Sequence, residues 1–209
     1  TRTYTATDVC GNSVSQDQTI VVDDQTAPII TVFPADDAVS CAGDVAPADI
    51  SLVTATDNCT GVVTITVDPD VISAQTCANR YTITRTYTAT DVCGNSVSQD
   101  QTIVVDDQTA PIITVFPADE NLSCAGDVTA ANTALVTATD NCSGIVTITV
   151  AADVITAQTC DHRYTITRTY TATDVCGNSV SQDQTIVVDD QTAPIITVFP
   201  ADENLSCAG

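Results

Sequence analysis

Ten cysteines stand at positions 10, 41, 59, 77, 93, 124, 142, 160, 176 and 207, and six of them have a counterpart 83 residues on. Within one period the spacings are 31, 18, 18 and 16. No CxxC pair occurs, and the single histidine, His162, stands where the preceding unit has Asn79. That pattern disfavours zinc, which needs clustered thiolate and imidazole ligands. An even number per unit, in an acidic chain without lysine, reads as disulfides made in an oxidising compartment.

The second set of chemically capable residues is acidic. Each unit ends Val-Val-Asp-Asp-Gln-Thr-Ala-Pro, giving Asp23-Asp24, Asp106-Asp107 and Asp189-Asp190. Asp57, Asn58, Asp91 and Asn95, and in the next unit Asp140, Asn141, Asp174 and Asn178, fall in candidate loops. Calcium takes about six to eight oxygens from carboxylates, amides and carbonyls in irregular geometry. Asp23, Asp24, Asp57, Asn58, Asp91, Asp106, Asp107, Asp140, Asn141 and Asp174 are therefore candidate calcium ligands between domains. The competing reading is that these residues make ordinary Asx-turns without metal; no DxDxDG loop is present.

The elements that must position these groups are strands. Pro28–Val32, Val39–Cys41, Leu52–Thr56, Val62–Val67, Tyr81–Thr90 and Ser96–Val105 are β-rich runs broken by Gly, Pro, Asp or Asn. In Tyr81–Thr90 every second residue is threonine, so one face packs and the other meets water. Strands at this spacing predict an all-β fold: tandem immunoglobulin-like antiparallel β-sandwiches. Four cysteines allow three connectivities, which sequence alone does not resolve. In the sandwich layout the loops holding Cys59 and Cys93 meet at one pole, while Cys41 and Cys77 fall toward the other. The layout predicts Cys59–Cys93 and Cys41–Cys77, repeated as Cys142–Cys176 and Cys124–Cys160. Each closes a loop of about 35 residues, worth roughly 4 kcal/mol on the chain-entropy account. Cys10 and Cys207 find no partner within this pattern.

The segment Thr1–Asp36 returns letter for letter at Thr84–Asp119 and Thr167–Asp202. Its period exceeds the roughly 20–50 residues of solenoid and propeller units and suits a small self-contained domain. The expected organisation is the end of one repeat at 1–24, complete repeats at 25–107 and 108–190, and the start of another at 191–209. The strand layout makes the invariant segment a junction: two last strands, an acidic joint and the next first strand.

Charge narrows the functional classes. Twenty-seven acidic residues oppose five arginines, with no lysine. Phosphate backbones need clustered cations, so nucleic acid is excluded as a partner, and Lys–Asn isopeptide bonds cannot form. No apolar stretch reaches the about 18 residues of a spanning helix, so direct membrane insertion is not expected. Catalysis finds no positioned base for the many hydroxyls, and the paired aspartates are adjacent in sequence, not across a cleft; the chain is not expected to be an enzyme. Arg85 and Arg168 fall on the apolar face of their strand and are expected to be packed and paired with carboxylates. The Thr-x-Thr rows are read as solvent-facing strand and not as an ice-binding surface. The sequons at Asn58, Asn121 and Asn141 are read as chance.

Units carrying TATDNC, then YTITRTYTATDVCGN, then VVDDQTAP resemble HYR (hyalin-repeat) immunoglobulin-like domains. More narrowly, they resemble the four-cysteine form found in giant secreted Bacteroidota surface proteins, including gliding-motility adhesins of the SprB kind. The resemblance spans the whole 83-residue unit. It implies an extracellular, cell-surface location and a role in adhesion or as a stalk. The expected function is a load-bearing stalk or fibre whose partners are the neighbouring repeats of its own chain. The alternatives are repeats that grip glycans or solid surfaces through the variable half, or a laterally self-assembling filament. A glycan-binding role would show at differences such as Asp68-Pro69-Asp70 against Ala151-Ala152-Asp153.

Overall fold

Alternation in the longest strands organises the structure, a computed structural model that describes residues 1–204. The chain divides into two compact units, Thr1–Asp107 and a second beginning at Gln108. The first opens with a two-stranded antiparallel hairpin, β1 (Arg2–Thr7) and β2 (Ser13–Gln18).

A complete sandwich follows. One layer pairs β3 (Ile29–Val32) with β5 (Thr54–Thr56), antiparallel, with a register shift between Ile30 and Val32. The other layer runs β4 (Asp37–Val39), β9 (Ser96–Asp106), β8 (Arg80–Thr90), β6 (Thr64–Val67), with β7 (Val71–Cys77) also on β8. β6 pairs with the C-terminal half of β8 and β7 with its N-terminal half, so two short strands share one edge in series. The second unit repeats this with β10 (Ile112–Val115), β11 (Glu120–Leu122), β12 (Thr137–Thr139), β13 (Thr147–Val150), β14 (Val154–Cys160), β15 (Arg163–Thr173) and β16 (Ser179–Asp189). The expected pair of tandem β-sandwiches is present.

The threonine alternation builds the core. Along β8, Ile83, Arg85, Tyr87 and Ala89 are buried while the intervening threonines face outward; Ile103 and Val105 of β9 complete the layer. Phe33 closes it, its ring edge-on to Tyr87 with centroids 5.7 Å apart, a preferred aromatic geometry. On the outer face the hydroxyls bond across strands: Thr86 Oγ1 donates to Asp100 at 2.7 Å, and Thr88 shares a 2.8 Å bond with Ser98.

Three details depart from the sequence reading. β4 runs parallel to β9, so the sandwich is not wholly antiparallel. β4 ends at Val39 and β5 begins at Thr54, because 3₁₀ turns at Ala42–Asp44 and Ile50–Leu52 occupy their flanks. β7 had no signal: Val71-Ile-Ser-Ala-Gln-Thr-Cys77 does not alternate, since Ala74, at φ 52°, takes the left-handed conformation at a bulge. Ala157 does the same in the second unit, at φ 54°.

Arg85 is buried and paired, as expected. Its Nε and Nη2 donate to Asp70 at 2.8 and 2.9 Å, and Nη2 also donates to the Ala46 carbonyl at 3.1 Å. Arg168 repeats the arrangement on Asp153 and Thr129. The Asn-to-His change between units is absorbed by chemistry: Asn79 Oδ1 accepts from Ala42 N–H at 3.0 Å, and His162 Nδ1 accepts from Ala125 N–H at 3.2 Å.

Candidate functional site

The candidate site is the acidic joint at the start of the first complete sandwich. Three segments of the first unit build it: the linker around Asp23–Asp24, the loop after β5 from Asp57 to Gly61, and the β8–β9 loop Asp91–Asn95. The β8–β9 loop is fixed by its own sequence. Asp91 Oδ1 accepts from Cys93 N–H at 2.8 Å and Asn95 N–H at 2.9 Å, and Oδ2 accepts from Asn95 Nδ2 at 2.9 Å. Gly94 sits at φ 91°, where a side chain would be strained. The Asn95 amide above all, with backbone donors behind it, holds the Asp91 carboxyl below the usual carboxylate range. Asp8 and Asp174 make the same loop at the two other copies.

The two loops abut. A Cβ on Gly61 would lie 3.1 Å from both Val92 methyls, so glycine permits this approach. Asp57 Oδ2 accepts from Cys59 N–H at 2.8 Å, and the Asn58 amide is assigned the orientation that puts its NH2 on the Asp57 carboxylate, at 3.1 and 3.3 Å. The linker docks through Asn95, whose Nδ2 also donates to the Asp24 carbonyl at 3.0 Å. One side chain therefore reads its own loop and the incoming chain. Asp24 Oδ1 accepts from Thr26 N–H at 3.1 Å, while Oδ2 is shielded from solvent without a hydrogen-bond partner. Oxygens of Asp24 and Asp57 and the Cys59 sulfur all lie within 4.8 Å of one another. Asp24, followed by desolvation, pushes the Cys59 thiol up; desolvation and then Asp91 raise Cys93.

Of the candidate calcium ligands, the first unit brings together Asp24 and Asp57, with Cys59 added. Asp23 accepts from Gln25, Asp91 is taken by its own loop, and Asn58 presents its NH2 to Asp57. Asp106 is salt-bridged to Arg80 at 2.9 Å, and the Asp107 carbonyl accepts from the same guanidinium. Asp140 Oδ2 accepts from Cys142 N–H at 3.0 Å, and the Asn141 amide lies on the Cys142 sulfur at 3.2 Å. The Asx-turn reading accounts for Asp91 and Asp174 in full. What the sequence did not single out was the bridging role of Asn95 and the carboxylate partner of each buried arginine, Asp70 and Asp153.

Cys41, Cys77, Cys142 and Cys176 are disulfide-bonded, and Cys10, Cys59, Cys93, Cys124 and Cys160 are thiols. Cys207 lies outside the described residues. Shifted by one period, Cys142 and Cys176 occupy the positions of Cys59 and Cys93. Each of the four repeat positions is thus oxidised in one of the two units.

Two tandem β-sandwiches with four cysteines each and an acidic linker docked on a hairpin loop define a modular β-repeat array. The family model of the HYR-like domain with 4 cysteines matches residues 29–105 and again 112–188, and the chain belongs to that family. No curated protein matches it. Among solved structures it is similar to Drosophila N-cadherin EC1-4, at 17% identity and TM-score 0.33, over 85% of this chain and 52% of that one. It is also similar to the protocadherin GammaB4 extracellular domain, at 18% identity and TM-score 0.35, over 90% of this chain and 38% of that one. The chain therefore matches about half or less of the length of these proteins. No helix among the described residues is long and apolar enough to cross a membrane.

Proposed function

We propose that this chain is a run of spacer repeats from an extracellular, cell-surface adhesion protein, a non-catalytic stalk that holds a binding element away from its anchor. The adhesin of gliding-motility type that its motifs resemble is the setting this reading favours. The observation that carries it is the joint: the linker carbonyl of Asp24 is held by Asn95 of the next domain, inside the segment repeated without change. A docked joint restricts bending, and restricted joints let length scale with copy number. Electron microscopy of arrays of two, four and eight repeats tests this. A stalk lengthens linearly with repeat number; growth as roughly the square root, the behaviour of a flexible coil, overturns it.

Crosslinks belong to the same proposal. We assign Cys41–Cys77 and Cys142–Cys176 within their own sandwiches and, by the period, Cys59–Cys93 and Cys124–Cys160, whose four cysteines stand as thiols in this structure, two per domain. Ala42 bonded to Asn79 brings the Cys41 turn beside the end of β7, and the Gly61–Val92 approach brings the Cys59 and Cys93 loops together. Non-reducing peptide mapping decides; a Cys41–Cys59 link would sink the assignment.

A divalent cation is proposed at Asp24 and Asp57. The shielded, unsatisfied Asp24 Oδ2 supports it. Two carboxylates supply only part of the about six to eight oxygens calcium takes, so water completes the shell. Calorimetric titration with calcium should give heat in the parent chain and less in Asp24→Asn; no heat in the parent refutes the site.

A further inference from the structure

The large sheet of each complete sandwich has one open edge. Among the described residues, β13 and β14 pair only with β15, in series along one side of it, and no strand lies beyond them. The Ala151 N–H also donates to the Thr169 carbonyl at 3.0 Å, so the edge runs on from β13 toward β14. Val154 and Ile155 are 56% and 54% exposed, and their counterparts in the first sandwich, Val71 and Ile72, are 61% and 53%. The exposure is nearly the same in both complete sandwiches, so it belongs to the repeat and not to its place in the chain. An unpaired edge is a template for another strand, and proteins blunt such edges with charge, proline or bulges.

The two sandwiches differ at the centre of that edge. In the first, Asp68-Pro69-Asp70 joins β6 to β7, charge and proline together; in the second the link is Ala151-Ala152-Asp153. Asp153 is the one charged residue from Thr147 to Cys160, and Arg168 donates to both of its oxygens at 2.8 Å. The chain carries a net charge of -22, and Arg80, Arg85, Arg163 and Arg168 are each bonded to a carboxylate. Two copies therefore repel over most of their surface, but not along this second edge. Its backbone groups are also in phase. Ala151 bonds to β15, so by strand alternation Thr147 and Thr149 turn their backbone groups to β15, while Ile148 and Val150 turn theirs outward. The same alternation along β15 turns Val154 and Thr156 inward, opposite Thr167 and Thr165, and leaves Asp153 and Ile155 outward.

We infer that the β13–β14 edge of the second sandwich pairs with the same edge of a second copy of this chain, antiparallel about a two-fold axis between Ala151 and Ala152. That axis sets Ile148 opposite Ile155 and Val150 opposite Asp153, each pair with both backbones turned to the seam. A second copy is the occupant because the edge complements itself under this rotation, in register, in hydrogen-bonding phase and in lacking uncompensated charge. Ile148 and Ile155 pair on their own sheet with Ala172 and Ile166, both buried, so their contact carries the core face across the seam. The contact is isologous and closes as a dimer. In the first sandwich the same axis would bring two Asp68 carboxylates together beside Pro69, and facing like charges oppose pairing. The bulge at Ala157, at φ 54°, ends the usable edge, so the seam runs over residues 147–156. An interface this short belongs to the weak class, below about 1,200 Å², and gains by avidity where an array repeats it. The pairing goes beyond the spacer reading: it sets stalks side by side whatever their joints do.

The test is sedimentation velocity of the whole chain from about 10 to 1,000 µM, the range of a weak contact. EDTA keeps cations from bridging copies, and denaturing non-reducing gels exclude copies joined by disulfides. The parent should pass from monomer to dimer and no further, and the dimer should strengthen with salt, because screening relieves the repulsion between two acidic copies. Ala151→Asp with Ala152→Pro writes the first sandwich's own residues into the second, where the same fold already accepts them, and should weaken the dimer at least tenfold. Asp68→Ala with Pro69→Ala opens the first edge as well and should tighten association at least tenfold or give species longer than the dimer. Hydrogen exchange at the highest concentration should slow in residues 147–156 and not in 64–73. A monomer throughout, a dimer that weakens with salt, a dimer indifferent to either double substitution, or protection confined to another surface overturns the inference.

Discussion

Replacing Asp70 with alanine should destabilise the first sandwich by about 2–3 kcal/mol, and the magnitude follows from what Arg85 has left. Its side chain is 5% exposed, and it makes two charge-assisted bonds to Asp70 and one to the Ala46 carbonyl. Removing one partner of a buried pair costs about 3–5 kcal/mol, because the other charge stays buried and uncompensated. Asp70 itself is 33% exposed, so water reaches part of the vacated site and lowers that figure. Spread over a domain of this size, the loss corresponds to a melting drop of roughly 10–20 °C. Calorimetry on the whole chain carries its own control, since Asp153 holds the same place in the second unit. Asp70→Ala should split off one lower transition and leave the other near its parent position; Asp153→Ala should move the opposite one. Adding Arg85→Met to Asp70→Ala should recover part of the loss, since it removes the stranded charge. A shift under about 0.5 kcal/mol, or a double variant as unstable as the sum of its parts, would refute the reasoning.

Three further outcomes follow from the same geometry. Hydrogen bonds from Arg85 and Arg168 lower the Asp70 and Asp153 carboxyls, so their contribution is complete above the unfolded value of about 3.9 and is lost as pH falls through the lower folded values; acid melting curves should show this limb, and Asp70→Asn should flatten it in the first unit. Ala74→Val should cost about 1–2 kcal/mol in chemical denaturation despite valine's preference for strands, because φ 52° excludes a branched side chain, whereas Ala74→Gly should be neutral or mildly stabilising. Asn95→Ala should leave the sandwich folded while the Thr26 amide exchanges faster with deuterium, since the Asp24 carbonyl loses its donor; unchanged exchange would mean the linker is held by other contacts.

Much of the fold was legible because its cause is local. The Thr-x-Thr alternation of β8 states which face packs, and the burial of Ile83, Tyr87 and Ala89 follows it. Asp-Val-Cys-Gly-Asn encodes its loop completely: a carboxylate aimed at amides two and four residues on, and a glycine for the left-handed position. The loop forms identically at Asp8, Asp91 and Asp174. Period, composition and charge likewise belong to the sequence, and from them came the domain class and the expectation of no nucleic-acid partner.

Tertiary structure decided whatever depends on atoms far apart along the chain. β7 carries no alternation and exists because β8 offers it an edge. Arg85 announced that it needed a carboxylate, but Asp70 was reached only by folding, fifteen residues back along the chain. Parallel pairing of β4 with β9 joins segments more than sixty residues apart. At the joint, sequence marked ten oxygen-bearing residues of equal promise. Folding separated them, because a carboxylate already bonded to its own loop is no longer free to converge. Asp91 is satisfied where it stands, while Asp24, carried in on the linker that Asn95 grips, keeps one oxygen unsatisfied beside Asp57.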